Sequence, residues 1–189
     1  MILSLRNFFV IALFTIFLSN PSKAQPRKGR FIDVSAGLGV SYPTDDADVI
    51  GRGFYAQGEY VFGLSNWIGI RPYAGIILTS PDKYRQYEKD YGVTSKAFLF
   101  GGKARICPPI PWVAPYFETG IGASLGSFET YTPLTDLKKN GIFMHIPFSL
   151  GLAIGRKHNF DIAFTYYYTP GAEQTSGAAA FGFTFPLNQ

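Results

Sequence analysis

Residues Gly141–Ile154 read Gly-Ile-Phe-Met-His-Ile-Pro-Phe-Ser-Leu-Gly-Leu-Ala-Ile. Every second position, from Ile142 through Met144, Ile146, Phe148, Leu150 and Leu152 to Ile154, is large and apolar. The intervening Gly141, Phe143, His145, Pro147, Ser149, Gly151 and Ala153 are mostly small or polar. Side chains of a β-strand alternate between two faces, so the stretch predicts one long strand with a wholly apolar face. It is longer than most globular strands and long enough, when tilted, to cross a bilayer.

The same alternation recurs along the chain. It predicts strands over Phe31–Tyr42, Gly53–Phe62, Trp67–Thr79, Ser95–Ile106, Val113–Phe128, Phe160–Thr169 and Gly177–Leu187, eight with the opening stretch. Pro43–Arg52, Ser80–Thr94, Glu129–Asn140 and Pro170–Ser176 read as longer polar connections. Gly63–Asn66, Cys107–Trp112 and Gly155–Asn159 read as short turns, the second because Pro108, Pro109 and Pro111 cannot ladder. Long and short connections therefore alternate, as in an up-and-down barrel with external loops on one side and periplasmic turns on the other. An even strand number leaves both termini on the periplasmic side.

A soluble barrel of this size would be apolar inside and charged outside. Here the less apolar face is rich in Gly, Ala and Ser, which suits a cramped interior, and within the strand spans only Lys96 charges the apolar face. Tyr42, Phe54, Tyr60, Phe62, Trp67, Trp112, Tyr166 and Tyr168 cluster near strand ends, where interfacial girdles sit. The expectation is an all-β, eight-stranded antiparallel transmembrane β-barrel.

At the N-terminus a short basic start, the apolar run Phe8–Leu18 and the Ser22-Lys23-Ala24 site predict a secretory signal peptide over residues 1–24, with the barrel over 25–189. Removing Arg6 and Lys23 lowers the formal net charge from +4 to +2, and no basic cluster interleaves with exposed aromatics, which argues against nucleic acid. Cys107 is the single cysteine, so no intramolecular disulfide is available.

The pattern resembles the small outer-membrane β-barrels of Gram-negative bacteria, the OmpA/OmpX/OmpW type. The blocks Gly101–Arg105, Pro115–Gly122 and Phe148–Leu152, with the last strand Phe181-Gly182-Phe183-Thr184-Phe185, are similar in style to outer-membrane barrels of Bacteroidetes-like bacteria. The resemblance implies fold and outer-membrane location. It implies no activity, because such barrels host many roles.

With the register set, Asp33, Glu59, Glu118 and Asp161 face inward with Arg71, Lys103 and Arg105, all in the strand halves nearest the short turns. Buried charges persist when paired, which predicts a salt-bridge network plugging that half of the lumen. Further up, small inward residues such as Gly122 leave room beside Ile77, Leu99, Phe143, His145 and Tyr167. This region reads either as an outward-facing pocket for a small apolar ligand or as the tight closure of a thin barrel. Catalytic residues are not apparent: His145 and Ser149 share a face but lie about 13 Å apart along the strand. The His-x-Ser dyad of barrel lipid A deacylases is missing, and no metal-ligand spacing or nucleotide motif appears. The connection 80–94, with Tyr84, Arg85, Tyr87, Glu88, Lys89, Asp90 and Tyr91, is the candidate for a surface partner.

The sequence thus points to a monomeric barrel in contact with outer-membrane lipid, with a structural or surface-interaction role and neither catalysis nor cofactor. The competing reading is a narrow conduit or binding pocket for small hydrophobic compounds, as the OmpW-type resemblance implies.

Overall fold

The computed structural model describes residues 28–44, 49–81 and 91–187. The segment 1–24 expected to be a signal peptide and most of the 80–94 connection (residues 82–90) lie outside these residues. The chain forms β1 Gly29–Pro43, β2 Gly51–Gly63, β3 Ile68–Pro81, β4 Gly92–Ile106, β5 Val113–Tyr131, β6 Asp136–Ile154, β7 Phe160–Thr169 and β8 Gln174–Pro186, with a short 3-10 turn at Pro170–Ala172. Each strand pairs with the next, and β1 pairs antiparallel with β8, closing the sheet. Closure removes the unpaired edges that would otherwise seek partners.

The period-2 pattern sets the faces. In β1 the even positions Ile32, Val34 and Leu38 point outward while Asp33 and Ser41 are buried. In β6 Ile142, Met144 and Leu150 are more than 60% exposed, whereas His145 and Ser149 are enclosed. An unbroken belt of exposed Leu, Ile, Phe and Val is unstable in water and requires an apolar solvent. Two prolines interrupt the ladders without opening the barrel. The pairing between β2 and β3 is interrupted at Pro72 and Arg71, and that between β5 and β6 at Pro147 and Ile146. A proline has no amide to donate there.

Strand ends differ from the expectation. Glu129–Asn140 is largely not a loop: β5 runs to Tyr131 and β6 begins at Asp136, leaving a four-residue turn. In that turn Thr132 Oγ1 accepts from the amides of Leu134 (3.2 Å) and Thr135 (2.9 Å), closing the hairpin by side chain. β8 likewise starts at Gln174 inside the expected loop 170–176. Long connections therefore alternate with short ones only around β1–β2 and β3–β4; after β5 and β7 the extra residues continue the ladder. The extended strands also place Arg30, Arg52, Glu129, Asp136 and Lys138 on the outward face beyond the apolar belt, adding to Lys96.

Candidate functional site

The seven inward charges come from β1, β2, β3, β4, β5 and β7 and meet in one ion-pair network. Arg71 reaches Asp33 (Nη2–Oδ2, 3.1 Å) and donates from Nε to the Glu59 carboxylate. Lys103 Nζ lies between Glu59 Oε1 (2.6 Å) and Glu118 Oε2 (2.8 Å). Arg105 bonds Glu118 Oε1 through Nε (2.5 Å) and Asp161 Oδ1 through Nη1 (2.9 Å). Glu118 also stands 3.6 Å from Arg71 Nε, so it touches all three cations. Such alternation of sign offsets the desolvation of groups that are almost fully enclosed.

Neutral groups extend the network. Thr184 Oγ1 donates to Asp33 Oδ2 (2.6 Å), Gln57 Nε2 to Glu59 Oε1 (2.6 Å), and Tyr167 to Gln57 Oε1 (2.7 Å). The Arg105 guanidinium lies 3.6 Å from the centre of the Tyr116 ring, a stacking that fixes its plane. Tyr116 in turn covers Gly151, where a Cβ would fall 2.4 Å from the ring. The hollows left are water-sized: about 20 Å³ among the charges, and about 40 Å³ at the turn-side mouth beside Phe31, Val61, Arg71, Arg105 and Cys107.

The layer above is packed. Ile77, Leu99, His145 and Tyr167 are at most 1% exposed and join Tyr55, Tyr73, Phe128 and Phe143 in the barrel interior. His145 hydrogen-bonds the Tyr73 hydroxyl through Nε2 (2.5 Å) and the Ser124 hydroxyl through Nδ1 (2.7 Å), and Tyr55 and Tyr167 join through their hydroxyls (2.9 Å). Phe128 meets Phe143 edge-on at 5.5 Å. A Cβ on Gly122 would lie 2.2 Å from Tyr73 Oη and 2.5 Å from His145 Nε2. Ile77, Leu99, Gly122, Phe143, His145 and Tyr167 therefore form a filled layer rather than the walls of a pocket. The glycines leave room that tyrosines from neighbouring and opposite strands occupy.

The loop-side end is crossed by Gln174, whose Nε2 reaches the carbonyls of Thr94 (3.3 Å) and Glu129 (3.4 Å) on β4 and β5. Beside it Ser41 and Thr79 share a hydrogen bond of 2.8 Å, and Thr79 Oγ1 accepts from the Ser95 amide at 2.8 Å. A groove of about 300 Å³, lined by Leu38, Val40, Tyr42, Ile50 and Arg52, lies on the outer wall between β1 and β2.

His145 and Ser149 do not meet: Ser149 Oγ bonds Thr165 Oγ1 at 2.9 Å. Sequence reasoning missed Ser124 as the His145 partner, and missed Tyr73, Tyr116, Gln57, Thr184 and Gln174. Tyr55, Tyr73, Tyr116 and Tyr167 all sit on the inward parity, and that shared parity was the readable signal. Register across non-adjacent strands, which brings Tyr73 of β3 to His145 of β6, was not readable.

No protein-family model matches the sequence, and no curated protein is similar to it. The structure is similar to that of Neisserial surface protein A, with 12% identity and a TM-score of 0.59 over 85% of this chain and 98% of that one. It also matches Ail, the attachment invasion locus protein of Yersinia pestis (18% identity, TM-score 0.49, 84% and 100% covered). OprG, an outer membrane protein of Pseudomonas aeruginosa, matches at 12% identity and a TM-score of 0.49, with 87% and 99% covered. At these identities the likeness is one of fold: this chain has the fold of the eight-stranded outer-membrane β-barrels.

Proposed function

We propose that the protein is a sealed outer-membrane barrel with a structural or surface-interaction role, and that it neither conducts solutes nor catalyses. The observation that carries this reading is the closure of the lumen at three heights. Ion pairs fill the turn-side half, the Tyr73–His145–Ser124 layer fills the middle, and Gln174 crosses the loop-side end. The exposed apolar belt supplies the surface that a bilayer would cover. With the short turns toward the periplasm, the ends of β3 and β4 face outward, and the connection 80–94 that joins them is the proposed contact for a surface partner.

The Ser124–His145 pair has the atoms of a nucleophile and its base, but both residues are enclosed, at 1% and 0% exposure, with no room for an acyl substrate at the hydroxyl. Liposome swelling with small sugars tests the reading. Vesicles bearing the refolded protein should swell no faster than protein-free vesicles, and size-dependent swelling would establish the conduit instead.

A further inference from the structure

We infer that the turn-side rim carries a binding site for an anionic glycerophospholipid, formed by Lys28, Arg30, Arg156 and Lys157 around the end of β8. The inference rests on the apolar belt lying in a bilayer.

The topology gathers these four cations. Lys28 precedes β1 and Arg30 is its second residue, and Arg156 and Lys157 occupy the β6–β7 turn, so only β7 and the end of β8 lie between the pairs. Both sides are tied to β8: the Leu187 amide donates to Arg30 O (3.0 Å), and the Thr184 amide donates to Asn159 O (2.8 Å). All four side chains are exposed and carry no ion pair among the described residues. Arg156 is held at the interface by the Trp112 ring, 5.7 Å from its guanidinium carbon.

The charge is confined to this arc. Turn residues Leu64–Trp67 and Cys107–Trp112 contain no ionisable Asp, Glu, Lys or Arg. At the opposite rim Lys138 is paired with Glu129 (2.6 Å) and Lys139 with Glu173 (2.9 Å). On the membrane side of the arc the outward rings of Phe160, Phe183 and Phe185 are in contact, with centroids 4.8 and 4.5 Å apart. A phosphate-bearing headgroup fits the cations, with Arg able to bind it bidentately, while the acyl chains lie along the phenylalanines. Each Lys or Arg near an anionic bilayer surface strengthens its attraction about fivefold.

Native mass spectrometry from mixed micelles holding equimolar phosphatidylglycerol and phosphatidylcholine tests the site. The wild type should retain phosphatidylglycerol preferentially, and K28Q/R30Q/R156Q/K157Q should lose that preference, by about fivefold per cation removed. K138Q, altered at the other rim, should retain it. Equal retention of the two lipids by the wild type would overturn the proposal, as would an unchanged preference in the quadruple variant. A wild-type arm needs no variant to fold: the preference should collapse as ionic strength rises, and a salt-insensitive preference would also overturn it. Insertion is scored separately by the gel shift of unheated protein, so failure to form a membrane barrel is distinguishable from absence of lipid preference.

Discussion

Arg105 and Glu118 stand directly opposite one another on β4 and β5, and Arg105 Nε donates to Glu118 Oε1 at 2.5 Å. This register pair is the hub of the lumen, because Glu118 also binds Lys103 and lies within reach of Arg71.

Neutralising the hub strands charge. Glu118→Gln keeps the shape but leaves Lys103 and Arg105 with one carboxylate fewer in an enclosed site. The expected loss of stability is about 3–5 kcal/mol, the scale for removing one partner from a buried pair. Urea unfolding in phospholipid vesicles measures it. R105Q/E118Q should lose less than the two single changes together, and full additivity would contradict the direct coupling.

A second prediction concerns the packed layer. Gly122→Ala would push its methyl into Tyr73 Oη and His145 Nε2 and against the Phe100 carbonyl. Destabilisation of about 1–3 kcal/mol is expected from overpacking. The same assay reads it, and an unaltered unfolding midpoint would mean that the layer holds unfilled space.

The His145 hydrogen bonds give a third. His145→Ala removes the partner of both the Tyr73 and the Ser124 hydroxyls at a site water does not reach freely. Each orphaned hydroxyl costs about 1–3 kcal/mol, so the variant should unfold at clearly lower urea. Adding Ser124→Ala and Tyr73→Phe to it should recover part of the loss. No recovery would show that ring volume, rather than hydrogen bonding, is what His145 contributes.

Legibility of the fold followed from parity. Wherever one face was apolar and the other small, as in Phe31–Tyr42 or Gly141–Ile154, side-chain alternation identified strand and face together. The same parity sent the seven charges inward, where ion pairs now join them. Alternation fails where neither face meets lipid. Glu129–Tyr131 and Asp136–Asn140 are polar on both faces, yet they ladder, and Lys138 on Glu129 braces them from outside. The upper lumen was left open between a pocket and tight closure for a different reason. Counting small inward residues measures room at each wall, but the room is filled by tyrosines reaching from other strands, and one strand's sequence does not reveal which residues oppose it across the barrel.

The sealed lumen is tested most directly by planar-bilayer conductance of the wild type beside Arg71→Ala, which removes the contacts to Asp33, Glu59 and Glu118 at once. The account predicts a silent wild type and, because the Tyr73–His145–Ser124 layer and Gln174 still close the lumen above the ion pairs, a silent variant as well. Stepwise conductance in the wild type would contradict it.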